Sequence, residues 1–467
     1  MNDLDHSLAD QVLARAEAGF DQAVARWMDW LRIPSISAQP AHRADCATAA
    51  AWAGEMLRGL DFTVEILDTP GHPVVLAHHA GPAGAPHLLY YGHYDVQPAD
   101  PLELWTAPPF EPQLVDGPHG KRVVARGAVD DKGQVAMWLA AFTAWHQQTG
   151  GLPVSITVLL EGEEEIGSPN LEPFVMQHAA RLGADVVVIS DTGMWDIDTP
   201  ALTTSLRGMC YMEVTLQAAD RDLHSGMFGG SALNPINALT RALGQLHTAE
   251  GRVALPGFYD GVIEPSEAQK SAWQKLGFSE HDFLAEIGLS VPVGEQDRSA
   301  LERLWIRPTA DINGIWGGYT GAGSKTVIAS QASAKISFRL VPGQDPKAVA
   351  QGFRDFMQAR VPADAKLSFQ EFSSAPGLQI DTSNRFVRSA VTAMEQEFGR
   401  EVAMIGCGGS IPIVESFRRV LGTDSILMGF GLQDDKAHSP NEKFEVACFR
   451  RGLRSHVRLL GALSQSE

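Results

Sequence analysis

The sequence predicts an α/β protein: a mixed, largely parallel sheet layered with helices, interrupted by an inserted ferredoxin-like domain of β-α-β-β-α-β order. Three observations predict it. Short apolar runs of strand length, such as Val154 to Leu160 and Asp185 to Ser190, are separated by helical patterns, as in strands buried on both faces. Around Ser205 the pattern changes to the two-residue alternation of a half-buried strand. After about Thr382 the first pattern resumes. The chain therefore divides into one domain made of residues 1–205 and 383–467 and an inserted domain over 206–382.

The elements follow in order. Ala9 to Arg32 reads as a helix ended by Ile33-Pro34, because the residue before a proline leaves the helical region. Ala47 to Leu60 reads as a second helix. Phe62 to Leu67, Val74 to His78 and Leu88 to Tyr91 read as strands, and Gln134 to His146 as a long apolar helix. In the insertion, Met209 to Leu216 alternates as a strand, and Asn234 to His247 is a helix with proline at its start. Lys325 to Ser330 and Ala334 to Val341 read as a strand pair, Asp345 to Arg360 as a helix and Lys366 to Phe372 as the last strand, the split βαβ order. A polar, irregular stretch from Gly251 to Ile312 precedes the second strand. Ser383 to Phe398 is then a helix and Ser425 to Phe430 a strand.

At 467 residues, 44% hydrophobic, the chain exceeds what one core usually holds. Its net charge of −19, from 56 acidic and 37 basic residues, disfavours nucleic acid and anionic membrane as partners. No run approaches the ~20 apolar residues of a membrane span, and the acidic N-terminus lacks the apolar core of a signal peptide. The four cysteines are far apart and form no CxxC, as reduced thiols of a cytoplasmic protein would.

The chemistry-bearing residues fall at the carboxyl ends of the apolar strands, the edge where open α/β sheets bind ligands. His93 and Asp95 follow the strand ending at Tyr91. Asp130 and Asp131 precede the long helix; one aspartate suffices for a helix cap, and two adjacent ones repel. Glu161, Glu163, Glu164 and Glu165 follow VSITVLL, Asp191 ends ADVVVIS, and His438 lies in the loop after SILMGFG. Each residue alone has a structural explanation. Together they supply two imidazoles and at least three carboxylates without a thiolate, a donor set that suits zinc, manganese or cobalt. One carboxylate beyond the ligands is what a hydrolase needs as general base, and two ions bridged by a carboxylate would activate water and polarise a carbonyl.

The motifs YGHYDVQP, RGAVDDKG, EGEEEIGS, ISDTGMW, DLHSGMFGG, SKTVIA, SFRLVPG, GGSIP and AHSPNE resemble the successive signatures of M20 metallopeptidases, in family order from about Tyr91 to Glu442. The nearest subgroup is that of carnosinase and the cytosolic nonspecific dipeptidases. The resemblance implies metal-dependent hydrolysis of dipeptides or very short peptides, with an N-acyl-amino-acid deacylase of the same fold as the alternative. It implies two divalent ions, zinc first and manganese or cobalt otherwise. His93 and Asp191 would hold one ion, Glu165 and His438 the other, and Asp130 would bridge them across a cis peptide to Asp131. Glu164 would be the general base and Asp95 the support of His93. It further implies a homodimer formed through the inserted domain, which would act as a lid. His224 would reach the partner's site to stabilise the oxyanion, and Arg339, with Thr326 and Ser410, would grip the substrate carboxylate. The sequence departs from the family pattern at Glu163, which shifts the frame of the glutamate pair into question, and at Cys407, where relatives often carry an acid.

Overall fold

The computed structural model describes residues 3–409 and 411–465, apart from the side chains of residues 3–7 and 373. It comprises two compact units. The first is Met1–Thr204, Ile380–Ile405 and Ser416–Glu467; the second is Ser205–Gln379 and Gly406–Glu415. The segment Gly406–Glu415 thus groups with the second unit, although it lies within the stretch 383–467 that the sequence pattern assigns to the first domain.

The first unit is built on a mixed sheet. Its centre is four parallel strands in the order Ser155–Glu161, His87–His93, Val186–Ile189 and Ser425–Leu427. Val74–His79 joins antiparallel on one side, followed by Thr63–Leu67, and Ala201–Leu206 joins antiparallel on the other. Every residue of Val186–Ile189 is buried, which accounts for an unbroken apolar run rather than an alternating one. The helix Lys132–Thr149 packs on this sheet and against Val446–Leu463. Twelve of its residues are buried, and it stops at Gly150, whose φ of 77° suits glycine as a helix terminator.

The helix expected over Ala9 to Arg32 is two helices, Asp3–Ala18 and Phe20–Leu31, parted at Gly19, the residue in that span with least helix preference. The helices Leu171–Leu182 and Val446–Leu463, and a small sheet of Gln113–Gly117, Gly120–Val124 and Lys443–Glu445, are further elements beyond the sequence reading.

The second unit has a four-stranded antiparallel sheet in the order Thr309–Gly317, Gln331–Leu340, Gly208–Gln217, Lys366–Ala375. The helices Pro235–Leu243 and Pro346–Gln358 pack on it, and Met212, Val214, Ile336 and Phe338 form a core with Leu239 and Phe353. The strand expected over Lys325 to Ser330 does not belong to this sheet. Only Val327–Ile328 is extended, and it pairs with Leu223–His224 in a separate ribbon. The second strand in chain order is Thr309–Gly317. It is an edge strand, mostly exposed and bulged between Ile312 and Gly314, so it lacks the alternation that marks half-buried strands. The stretch before it is ordered by short helices, two of them opened by capping boxes at Ser266 with Gln269 and Ser299 with Glu302.

The four cysteines are unbridged. Among the described residues no helix is long and apolar enough to cross a membrane.

Candidate metal centre

The topology of the first unit brings the sequence-predicted donors together. His93 ends the strand His87–His93. Glu164 and Glu165 sit in the turn after Ser155–Glu161, and Asp191 stands two residues beyond Val186–Ile189. These four residues come off the carboxyl ends of three neighbouring parallel strands. Asp130 lies just before the helix Lys132–Thr149, and the peptide joining it to Asp131 is cis. His438 comes from the loop after Ser425–Leu427, in a left-handed backbone conformation with φ of 62°.

Two sets of donors converge, His93 with Asp130 and Asp191, and Asp130 with Glu165 and His438. His93 Nε2 is 3.1 Å from an Asp130 oxygen and 3.9 Å from an Asp191 oxygen. His438 Nε2 is 2.9 Å from the other Asp130 oxygen and 3.1 Å from Glu165. Ligands about 2.1 Å from a shared tetrahedral ion stand roughly 3.4 Å apart. The buried Nε2 of His93 makes no hydrogen bond despite these oxygens. An orphaned imidazole nitrogen ringed by carboxylates fits a cation between them, and the all-nitrogen-and-oxygen donor set fits a hydrolytic divalent ion.

The charges say the same. Burial, and then the Asp130 carboxylate, push Asp191 up to about 7. Burial likewise lifts Glu164 to about 7 against the pull of the His93 imidazole. Burial also works against ionisation of Asp130, but the imidazoles of His438 and His93 facing it hold it below the ordinary carboxylate range. Without added positive charge these acids resist ionising together at neutral pH.

The supporting residues divide the work. Asp95, fully buried, has an oxygen 3.4 Å from His93 Nδ1, and its carbonyl is 3.1 Å from the same nitrogen. Its carboxylate also accepts the N–H groups of Glu164 and Glu165, so one side chain orients the imidazole and pins the glutamate turn. Asp131 occupies the helix cap position but makes no side-chain cap bond; its carboxylate accepts the His93 N–H at 3.1 Å. That carboxylate stands where a Cβ on Gly92 would meet it at 2.8 Å, which explains a glycine inside a buried strand. Glu163 points elsewhere, its carboxylate accepting from the Asn170 amide and the His72 N–H.

Sequence reasoning missed Glu442. Its buried carboxylate receives the Arg126 guanidinium at 2.8 Å and the N–H groups of Gly127, Val129 and Asp130 at 2.9–3.1 Å. It therefore shapes the whole turn that presents Asp130, from a position four residues after His438. The only signal was an acid ending a motif quoted for its histidine.

The remaining predicted residues that the structure describes belong to the second unit. His224 and Thr326 are both exposed and adjoin in the ribbon: His224 pairs with Val327, and the Ser225 N–H donates to the Thr326 carbonyl at 3.0 Å. Arg339 is half-buried on Gln331–Leu340, on the face opposite Phe338. Cys407 accepts the Gly409 N–H at its sulfur. Ser410 lies outside the described residues.

A parallel-sheet unit that gathers imidazoles and carboxylates at its carboxyl edge has the make-up of a metal-dependent hydrolase. The chain belongs to the peptidase family M20/M25/M40, which its sequence matches over residues 89–462. It is 30% identical to the Cys-Gly metallodipeptidase dug1 of Schizosaccharomyces pombe over 463 residues, covering 95% of this chain and 96% of the relative. It is 31% identical to the Beta-Ala-His dipeptidase of Rattus norvegicus, covering 95% and 93%. The crystal structure of human carnosine dipeptidase 1 matches with a TM-score of 0.80 at 30% identity, covering 98% of this chain and 99% of that one.

Proposed function

We propose that this chain hydrolyses the peptide bond of dipeptides or very short peptides, with Glu164 as general base beside a centre for two divalent ions. The observation that carries the reading is the pair of donor sets sharing Asp130, with a glutamate carboxyl next to them that serves neither. His93 and Asp191 would hold one ion, Glu165 and His438 the other, and Asp130 both. Ions bound there, zinc first and manganese or cobalt otherwise, would polarise the scissile carbonyl and acidify water. Glu164 would take the water proton and deliver it to the leaving amine, the shuttle that a carboxyl lifted toward neutral pH performs well. Asp95 would keep His93 in place through both transfers.

Dipeptides are favoured because the relatives matched along their full length carry dipeptidase names; these relatives do not favour the deacylase alternative. Arg339, with Thr326 and Ser410, would grip the substrate carboxylate, and His224 would stabilise the oxyanion from a partner subunit. The second unit would then be a lid and dimerisation domain, inserted over 206–382 between the catalytic segments 1–205 and 383–467. Its edge strand, with apolar side chains in the open, supports an interface between two copies. The unbridged cysteines agree with a cytoplasmic enzyme.

The test is metal analysis of the purified protein together with a panel of free dipeptides against acetyl- and succinyl-amino acids. Two ions per chain and hydrolysis of the dipeptides are expected. Faster turnover of the acylated amino acids would sink the dipeptidase reading.

A further inference from the structure

The polar face of the sheet in the second unit carries two guanidinium groups that form no ion pair with an acid among the described residues. Arg339 stands opposite Met209 in the strand register. Arg207 precedes Met209 by two residues, so strand alternation puts it on the same face, diagonal to Arg339. Diagonal neighbours of this kind have Cβ atoms about 7–8 Å apart. Both arginines line one cavity of about 780 Å³, walled on its far side by the stretch that precedes the edge strand.

Two other arginines of the cavity are already matched. Arg307 pairs with Glu295 at 2.8 Å, and Arg303 with Glu280. Arg339 has no side-chain hydrogen bond or ion pair among the described residues, and Arg207 gives only its Nε, to the Gly408 carbonyl at 2.9 Å. The acid on their face, Asp311, accepts the Thr309 hydroxyl and acts on Arg207 only through space, as the smallest of the influences on it. Burial, and then the positive charge of Arg339, draw Arg207 down to about 10. Partly desolvated donors of one sign without partners are costly unless an anion meets them.

We propose that this cavity receives an anionic side chain in addition to the terminal carboxylate assigned to Arg339, so that the enzyme prefers dipeptides ending in Asp or Glu. Arg207 is the residue that distinguishes them, and the wall formed by residues 280–308 shapes the space. The inference rests on the proposed function for the role of Arg339.

The experiment compares Ala-Glu with the isosteric Ala-Gln on the full-length, metal-loaded enzyme, and measures glutarate binding by calorimetry. Wild type should favour Ala-Glu in kcat/KM by at least tenfold. Arg207→Gln should remove that preference and weaken glutarate binding about tenfold, while Arg207→Lys, which keeps the charge, should retain part of both. A wild-type ratio near one, or equal losses on both dipeptides in Arg207→Gln, overturns the inference and leaves dipeptide cleavage standing. If neither dipeptide is cleaved, the proposed function fails, and glutarate binding alone decides: binding that does not depend on Arg207 overturns the anion site as well.

Discussion

Glu163 and Glu165 both have side-chain partners, Asn170 for the first and His438 for the second, whereas the Glu164 carboxyl between them has none among the described residues. A base must be free to move a proton, so Glu164→Gln should lower turnover by at least about a hundredfold while metal content stays at the wild-type value. Activity within tenfold of wild type would reassign the base. Glu442 acts through others. Groups that orient ligands typically control metal affinity by about 10–100-fold, so Glu442→Gln, which sets an amide against Arg126 and three N–H groups, should release metal to a chelator at least tenfold more readily. Unchanged metal retention would leave Glu442 a purely structural residue. For Arg339→Ala, loss of a charged hydrogen-bond partner should cost roughly one to two orders of magnitude in kcat/KM on a dipeptide and much less on its amide. Equal losses on both would mean a structural role. His93, Glu165 and Asp191 were legible because each follows an apolar strand, where a charged residue stands out; Asp130 was legible as one of two adjacent acids before a helix, and His438 from the loop after SILMGFG. Glu442 was not, because whether an acid faces solvent or a turn of N–H groups depends on long-range folding.

The edge strand Thr309–Gly317 shows where pattern reading fails. Strands such as Gly208–Gln217 alternate strictly between buried and half-buried positions, and their bounds could be read closely. The edge strand has Ile312, Ile315 and Trp316 at 44–50% exposure, and its bulge breaks the two-residue period. Only Ala310 reaches the core, so little fixes an alternation. The same exposure carries a prediction. If two copies meet along this strand, Ile315→Lys should shift the protein from dimer to monomer in light scattering, since a lysine on an edge discourages pairing. A variant that stays dimeric puts the interface elsewhere. The helix Val446–Leu463 went unread although it is amphipathic: Phe449, Leu453, Val457 and Leu460 are buried, while Arg450, Arg451, Arg454 and Arg458 are half-buried on its other side.

At the scale of the molecule, one source of acid sensitivity lies in the buried core, outside the metal centre. His456 is fully buried, stacked on Trp138 at 4.0 Å, and neither ring nitrogen has a hydrogen bond. Burial draws it down to about 3. The folded chain keeps it neutral while the unfolded chain protonates it below about 6.5, so its neutral form supports stability above pH 6.5 and that support is lost as pH falls toward 3. At pH 5 the loss should be about 2 kcal/mol. His456→Phe should therefore flatten the fall in urea midpoint between pH 7 and pH 5; an unchanged pH dependence would show that the imidazole is already open to protons. The division into two units was legible in outline, from the change of period at Ser205 and its return after Thr382. The short return of Gly406–Glu415 to the second unit was not, because ten residues are too few to show a period. That return has a consequence in time. On the ribosome, the second unit lacks its last segment until Glu415 has been made, and the first lacks the helix Val446–Leu463 until later still. The second unit is thus all synthesised before the first is complete, and a fragment spanning 205–379 would emerge without a piece of itself.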